Sequence, residues 1–189
     1  MTAIETFILI GGRSRRFGSD KAFFEFEGEA LAARLARVAR MAHPGAPVRF
    51  LAASEGQFGE KTTELGAPTV FDVKPGLGAW SGVHAALFHS QSEWTLILAC
   101  DLPFITADLL QRLYELRRDN DAVVTRQADG RLQPLCAIYR TNKALSFVEE
   151  VLRHQDLPPL TSIFQGVDSA FVDVGGDLLR NVNTPADIA

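Results

Sequence analysis

The chain has 189 residues, 47% of them hydrophobic and 22% charged, and carries a net charge of -4. That length fits one domain with a sizeable core, and the acidic balance argues against general nucleic-acid binding. No signal peptide and no membrane-length apolar stretch is visible, so a cytoplasmic location is the expectation.

Strands and helices alternate along the chain. Thr6–Ile10 reads as a buried first strand, and the glycine- and arginine-rich segment 11–21 follows it. Ala30–Met41 is a helix, with Leu31, Leu35 and Val38 at helical spacing, ended by His43-Pro44-Gly45. Val48–Ala52 is a second strand, Gln57–Leu65 a short helix and Thr69–Phe71 a third strand. A Gly-rich turn precedes a helix over Ser81–Ser90, and Trp94–Ala99 is a strongly apolar fourth strand. Thr106 suits the N-cap of a helix running to Arg118, with Leu109, Leu113 and Leu116 on one face. Ala122–Thr125 and Leu135–Tyr139 are strands, the second followed by a helix over about 142–153. Ala170–Val174 is the last strand, and Thr184-Pro185 opens a terminal helix with proline at its first position. Strands separated by helices imply parallel pairing and a three-layer α/β domain. The second half breaks this alternation at 127–131 and at the Pro158-Pro159 segment, where an antiparallel strand or hairpin and a groove for a second ligand are expected.

The segment Gly11-Gly12-Arg13-Ser14-Arg15-Arg16-Phe17-Gly18-Ser19-Asp20-Lys21 packs four basic side chains into an acidic protein. Glycines let the backbone turn sharply and approach a ligand, and Arg and Lys attract phosphate. The segment suits a nucleoside triphosphate, although it is neither a P-loop nor a G-x-G-x-x-G turn. Ligands gather at the carboxyl ends of strands in such folds.

Asp101 ends the fourth strand, and Pro103 prevents its continuation. A carboxylate there suits Mg²⁺, a hard cation that bridges to substrate phosphates, and it also suits capping of the turn. Asp72 ends the third strand before a segment with three glycines, including Gly78 and Gly82; it can accept bonds from a base or sugar, and the segment also reads as a simple connection. Asn181 and Asn183 share one side of an extended backbone, able to complete a metal or phosphate site or to cap a helix. Arg131 and Gln133 can meet a polar partner or form a solvated turn. The histidines at 43, 84, 89 and 154 have no ligand spacing. Cys100 and Cys136 read as small buried residues of two strands.

In this order the motifs resemble those of the molybdenum cofactor guanylyltransferases and their MobA-like nucleotidyltransferase relatives. The family's L-A-G-G-x-S-x-R-M-G-x-D-K reads here as Leu9 to Lys21, its D-x-P-F as Asp101 to Phe104, its Q-P-L-x-A-x-Y as Gln133 to Tyr139 and its N-[IV]-N-T-P-x-D as Asn181 to Asp187. The resemblance implies a Rossmann-like sandwich with a mainly parallel, mixed sheet in a single domain. It implies transfer of GMP from GTP to the terminal phosphate of molybdopterin with loss of pyrophosphate, in the presence of Mg²⁺ on Asp101. Lys21, Asp101 and Arg16 take the catalytic roles. Leu9, Gly11, Gly12, Arg13, Ser14, Lys21, Asp72, Gly78, Gly82 and Asp101 take the nucleotide. Asn181, Asn183 and Gln133 take the acceptor. Transient contact with molybdopterin-delivering and cofactor-receiving proteins is a further expectation, with neither nucleic acid nor membrane as partner.

The chain departs from the pattern at Ile10, Phe17, Ala79 and Trp80, where the family has Ala, Met, Pro and Leu. These positions bear on the choice of nucleotide, and CTP is the alternative to GTP. Two other readings carry less support. A dinucleotide-dependent oxidoreductase lacks its acidic ribose ligand, because the second strand runs out in alanines. A non-catalytic nucleotide- or molybdopterin-binding homologue has no need of both Lys21 and Asp101.

Overall fold

Residues 3–11 and 20–188 are described by the computed structural model. Strand β1 (Ile4–Leu9) is buried along its whole length, so both of its faces meet a covering layer. A small hairpin of β2 (Glu25–Phe26) and β3 (Glu29–Ala30) follows, then α1 (Leu31–Ala42), β4 (Val48–Ala52) and β5 (Thr69–Phe71). The chain continues through α2 (Ala79–His89), β6 (Trp94–Ala99) and α3 (Ala107–Glu115). The second half comprises β7 (Ala122–Gln127), β8 (Leu132–Arg140), α4 (Thr141–Val151), α5 (Ile163–Gly166) and β9 (Ser169–Val174).

Seven strands form one sheet in the order β5-β4-β1-β6-β8-β7-β9. Strand β8 runs antiparallel to both neighbours, and the other adjacent pairs are parallel. The fold is therefore a mixed, mainly parallel α/β sandwich, with the layers that the alternation implied and the sheet that the family resemblance implied. Side chains alternate across the sheet with the period of two of extended chain. Ile8, Phe50, Leu96 and Leu98 face α1 and α3 through Leu35, Leu109, Leu110 and Leu113. Phe7, Leu51 and Ile97 face α2 and α4 through Val83, Leu87, Ala144 and Val148. Among the described residues no helix is long and apolar enough to cross a membrane.

The antiparallel element expected in the second half is the β7–β8 hairpin. Its ladder is interrupted: Val124 faces Ala137, yet Thr125 faces Gln133. Pro134, Leu135 and Cys136 bulge between these pairs. Proline has no N–H for a ladder, and a bulge is where an interior strand tolerates it. The buried Tyr139 hydroxyl donates to the Pro134 carbonyl at 2.7 Å, and the Thr125 hydroxyl donates to the Cys136 carbonyl at 3.1 Å. Both bonds satisfy carbonyls that the bulge removes from regular pairing.

Several boundaries differ from the sequence reading. Helix α2 starts two residues early, after Gly78, whose φ of 62° and ψ of -133° suit only glycine. The segments Gly59–Leu65 and Pro185–Ile188 are 3₁₀ turns rather than α-helices. The Thr106 cap holds, its Oγ1 accepting from the Leu109 N–H at 3.3 Å, but α3 tightens into a 3₁₀ turn over Leu116–Asp119. The β2–β3 hairpin was not foreseen. Its turn places Glu27 and Gly28 at φ of 52° and 78°, the two positive values of a type I′ turn.

Replacing Tyr139 with Phe leaves the Pro134 carbonyl buried without its donor. The expected loss is about 1–3 kcal/mol of unfolding free energy, read as a lower urea midpoint. An unchanged midpoint would show that the bulge does not need this bond.

Candidate active site

All of the parallel strands end on one edge of the sheet, and antiparallel β8 begins there. The ends of β1, β4, β5, β6, β7 and β9 and the start of β8 therefore bring Gly11, Asp72, Asp101 and Gln133 to a common rim. The chain builds outward from β1 to β4 and β5, then returns to place β6 on the other side of β1. That reversal opens a crevice between β1 and β6, where ligands bind in open α/β sheets.

Close packing shapes the β1 end of the crevice. The Ile10 and Gly11 N–H groups both donate to the Leu51 carbonyl, at 2.9 and 3.0 Å. A Cβ on Gly11 would stand 2.6 Å from the Ala53 nitrogen, so only glycine lets β1 pass the end of β4 this closely. Leu9 lies in the core, and a Cβ on Gly82 would stand 2.6 Å from its Cδ2. Leu9 and Gly82 thus seat α2 on the sheet. Gly12, Arg13, Ser14 and Arg16, also assigned to the site from sequence, lie outside the described residues.

At the centre of the crevice is Lys21, whose side chain is only 10% exposed. Burying an ammonium is costly unless it is paired. Its Nζ donates to Asn183 Oδ1 at 3.3 Å and lies 3.7 Å from Asp101 Oδ2. The Asp101 side chain is 28% exposed, so it is both paired and open to a ligand. Three residues from distant parts of the chain converge here.

A small apolar cluster holds the three segments together. Leu31 and Val182 are fully buried, and Phe24, Phe26 and Phe104 pack on them. Phe26 meets Phe104 edge-on, with ring centroids 5.6 Å apart. Val182, between the two asparagines, donates its N–H to the Asp101 carbonyl at 2.9 Å. Arg34 of α1 donates to the Pro103 carbonyl at 3.0 Å. The Asp187 carboxylate accepts from the Asn183 and Thr184 N–H groups at 2.7 and 2.8 Å. Those two bonds hold its pKa below the ordinary carboxylate value and fix the turn that carries Asn183. The aromatic residues at 24 and 26 and the Glu27-Gly28 turn were the sequence signal for this device.

A groove of about 520 Å³ opens beside the Lys21–Asp101 pair. Gln133, Asn181 and Asn183, the three residues assigned to an acceptor, all line it, with Arg131 and Arg180. Its walls are the β7–β8 turn and the chain after β9. The bulge in β8 sets the register that brings Gln133 to the rim.

Asp72 lies two strands from β1. Burial pushes its carboxyl pKa up, and Oδ1 is buried with no hydrogen-bond partner among the described residues. An unpartnered buried oxygen is unfavourable in the free protein and ready to accept from a ligand. Gly78 lies exposed at the start of α2. The Ser81 hydroxyl ties the preceding loop down, accepting from the Leu77 N–H at 2.9 Å and donating to the Lys74 carbonyl at 2.7 Å. Trp80 does not face this loop. Its indole is buried in the helical layer and donates to the Pro158 carbonyl at 2.9 Å. The larger side chain is thus absorbed by the Pro158-Pro159 segment, which forms no strand.

Among the described residues no group of three His, Cys, Asp or Glu side chains is arranged to hold a metal. Asp101 is a single hard donor beside the Asn183 amide oxygen. That set fits Mg²⁺, which commonly takes one carboxylate and completes its shell with phosphate oxygens and water.

Comparison with known proteins gives the family of the chain. Residues 6–170 match the family model described as the MobA-like NTP transferase domain. A protein of Pelotomaculum thermopropionicum, named "Probable molybdenum cofactor guanylyltransferase", is 34% identical over 189 positions, covering 96% of this chain and 88% of that protein. One of the same name from Clostridium perfringens is 32% identical over 134 positions, covering 70% of this chain; the match spans 64% of that relative's length. The fold matches the crystal structure of molybdopterin-guanine dinucleotide biosynthesis protein A from Archaeoglobus fulgidus with a TM-score of 0.76 at 23% identity, over 97% of this chain and 94% of that one. The chain belongs to the MobA-like NTP transferase family and is a nucleotidyltransferase.

The buried Asp72 carboxyl gives a pH-dependent prediction. Its folded pKa is raised, so its ionisation disfavours the folded state as pH rises above the ordinary value of 3.8. Asp72→Asn is expected to be more stable than the parent at neutral pH, with the gap closing as pH falls toward 3.8 and absent below it. Denaturation across that range checks it; a gap independent of pH would contradict the assignment.

Proposed function

We propose that this nucleotidyltransferase moves GMP from GTP to the terminal phosphate of molybdopterin and releases pyrophosphate. The observation that carries the reading is the convergence of Lys21, Asp101 and Asn183 at the sheet's switch point, next to a groove lined by Gln133 and Asn181. One side of Asn183 carries charges suited to a triphosphate, and the other side is a polar groove large enough for a second substrate. The names of the curated relatives support guanylyl transfer.

In this reading the triphosphate lies over the segment between Gly11 and Lys21, and the Lys21 ammonium neutralises its oxygens. An acceptor phosphate oxygen attacks the α-phosphorus. The α–β bridging bond breaks, its electron pair leaves on pyrophosphate, and a new phosphoanhydride joins GMP to the acceptor. No general base is needed, because a phosphomonoester is already largely ionised at neutral pH. The chemical problem is to bring two anions together in line, which positioning and fixed positive charge solve. Asn183 is bonded to Lys21 on one side and lines the acceptor groove on the other, so it sets the relative position of the two substrates. Asp101 and Asn183 would hold Mg²⁺, which when bound supplies charge neutralisation on phosphate oxygens. Asp72 accepts from the base or sugar.

Purified protein with Mg²⁺ and molybdopterin is expected to release pyrophosphate with GTP. Release with CTP alone would reassign the nucleotide, and release with neither would contradict the reading. Asp101→Asn is expected to lower turnover by at least 100-fold, on the order of losing one electrostatic transition-state contact, with the fold retained by circular dichroism. Lys21→Ala is expected to weaken GTP binding in a direct titration. Unchanged GTP affinity would remove Lys21 from the triphosphate site.

A further inference from the structure

Two arginines line the groove, and they differ in what already holds them. Arg131 donates from Nε to Asp129 Oδ2 at 2.6 Å and from its backbone N–H to Oδ1 at 3.1 Å. That pair is closed on itself at the tip of the β7–β8 hairpin. Arg180 has no carboxylate partner among the described residues. Its guanidinium instead lies over the Phe104 ring, 4.5 Å from the centroid. Stacking engages the flat face of a guanidinium and leaves its N–H edges available, and those edges match phosphate oxygens two at a time.

Its placement is as specific as its freedom. Phe104 follows Asp101 by three residues and is locked by Phe26 and the buried Val182. Arg180 directly precedes Asn181. The guanidinium is thus built on the same two segments that carry Asp101 and Asn183, and Arg180 and Asn183 line the same groove while Asn183 Oδ1 accepts from Lys21.

We infer that Arg180, propped on Phe104, binds the phosphomonoester of the acceptor and presents it to the nucleotide. This rests on the acceptor reading given under Proposed function. Lys21 serves the nucleotide anion and Arg180 the acceptor anion, with Asn183 between them. One cation for each anion counters the repulsion between the reacting phosphates. Asp129, the acidic side chain of the groove, is neutralised by Arg131 and does not oppose an incoming anion.

The test measures equilibrium binding of molybdopterin by its pterin fluorescence, and pyrophosphate release at varied molybdopterin and GTP. Parent protein, Arg180→Ala and Arg180→Lys are compared, and binding is repeated with dephosphorylated molybdopterin. Arg180→Ala is expected to weaken molybdopterin binding and raise its KM by roughly 10- to 100-fold, the range of one hydrogen bond to a charged group. The KM for GTP should not change. Arg180→Lys should recover part of the loss, and the dephosphorylated compound should bind parent and variant alike. If Arg180→Ala binds molybdopterin as tightly as an active parent does, the inference falls and the acceptor reading stands. An equal loss on the dephosphorylated compound, or a loss that falls on GTP, also overturns it. A parent protein that neither binds nor turns over molybdopterin overturns the acceptor reading and this inference with it.

Discussion

The structure depends on one ammonium kept in place out of water. Lys21 is nearly buried, and Asp101 and Asn183 are partners that make its charge tolerable there. These three groups come from segments far apart in the chain. Each must be delivered within a few ångströms of the others, and much of the surrounding architecture accomplishes that. The sheet order puts the end of β6 beside the end of β1. Asp187 fixes the turn that carries Asn183. The backbone bond from Val182 to the Asp101 carbonyl ties the third segment to the second.

Apolar packing supplies the rest of the positioning. The β2–β3 hairpin is too short to be stable alone. It carries Phe24 and Phe26 onto Phe104 and Val182, immediately beside the polar groups that do the chemistry. A hydrophobic cluster under a charged crevice has two effects. It sets the spacing of the charges, and it excludes water from their lower side, which strengthens their interaction with bound phosphate. The Phe104 ring then serves both sides of this division, packing inward on Phe26 and outward against Arg180.

Much of this was legible in the residues. The apolar runs at 6–10 and 94–99 are interior strands, and their length and flanking glycines and proline said so. Asp101 at the end of one such run and the Gly11 segment at the end of the other had to share an edge if both strands were parallel. What local patterns could not show was register. The three-residue bulge at Pro134 to Cys136 is bridged by Tyr139, whose partner lies five positions back along the strand. The β2–β3 hairpin has strands of two residues, shorter than any alternation can reveal. Trp80 looked like a disturbance of the nucleotide loop, and only tertiary contact with Pro158 shows that its ring is directed into the helical layer. The C-terminal Pro185 reads as a helix start, yet the Asp187 carboxylate draws the preceding N–H groups into a 3₁₀ turn.

The central claim is spatial: the nucleotide and the acceptor meet across Asn183, with Lys21 and Asp101 on the nucleotide side. A crystal structure with Mg²⁺ and a GTP analogue that cannot release pyrophosphate tests it most directly. The account predicts the triphosphate in contact with Lys21 and the segment after Gly11, with its α-phosphate turned toward the Gln133 and Asn181 groove. A triphosphate seated in that groove, out of contact with Lys21, would contradict it.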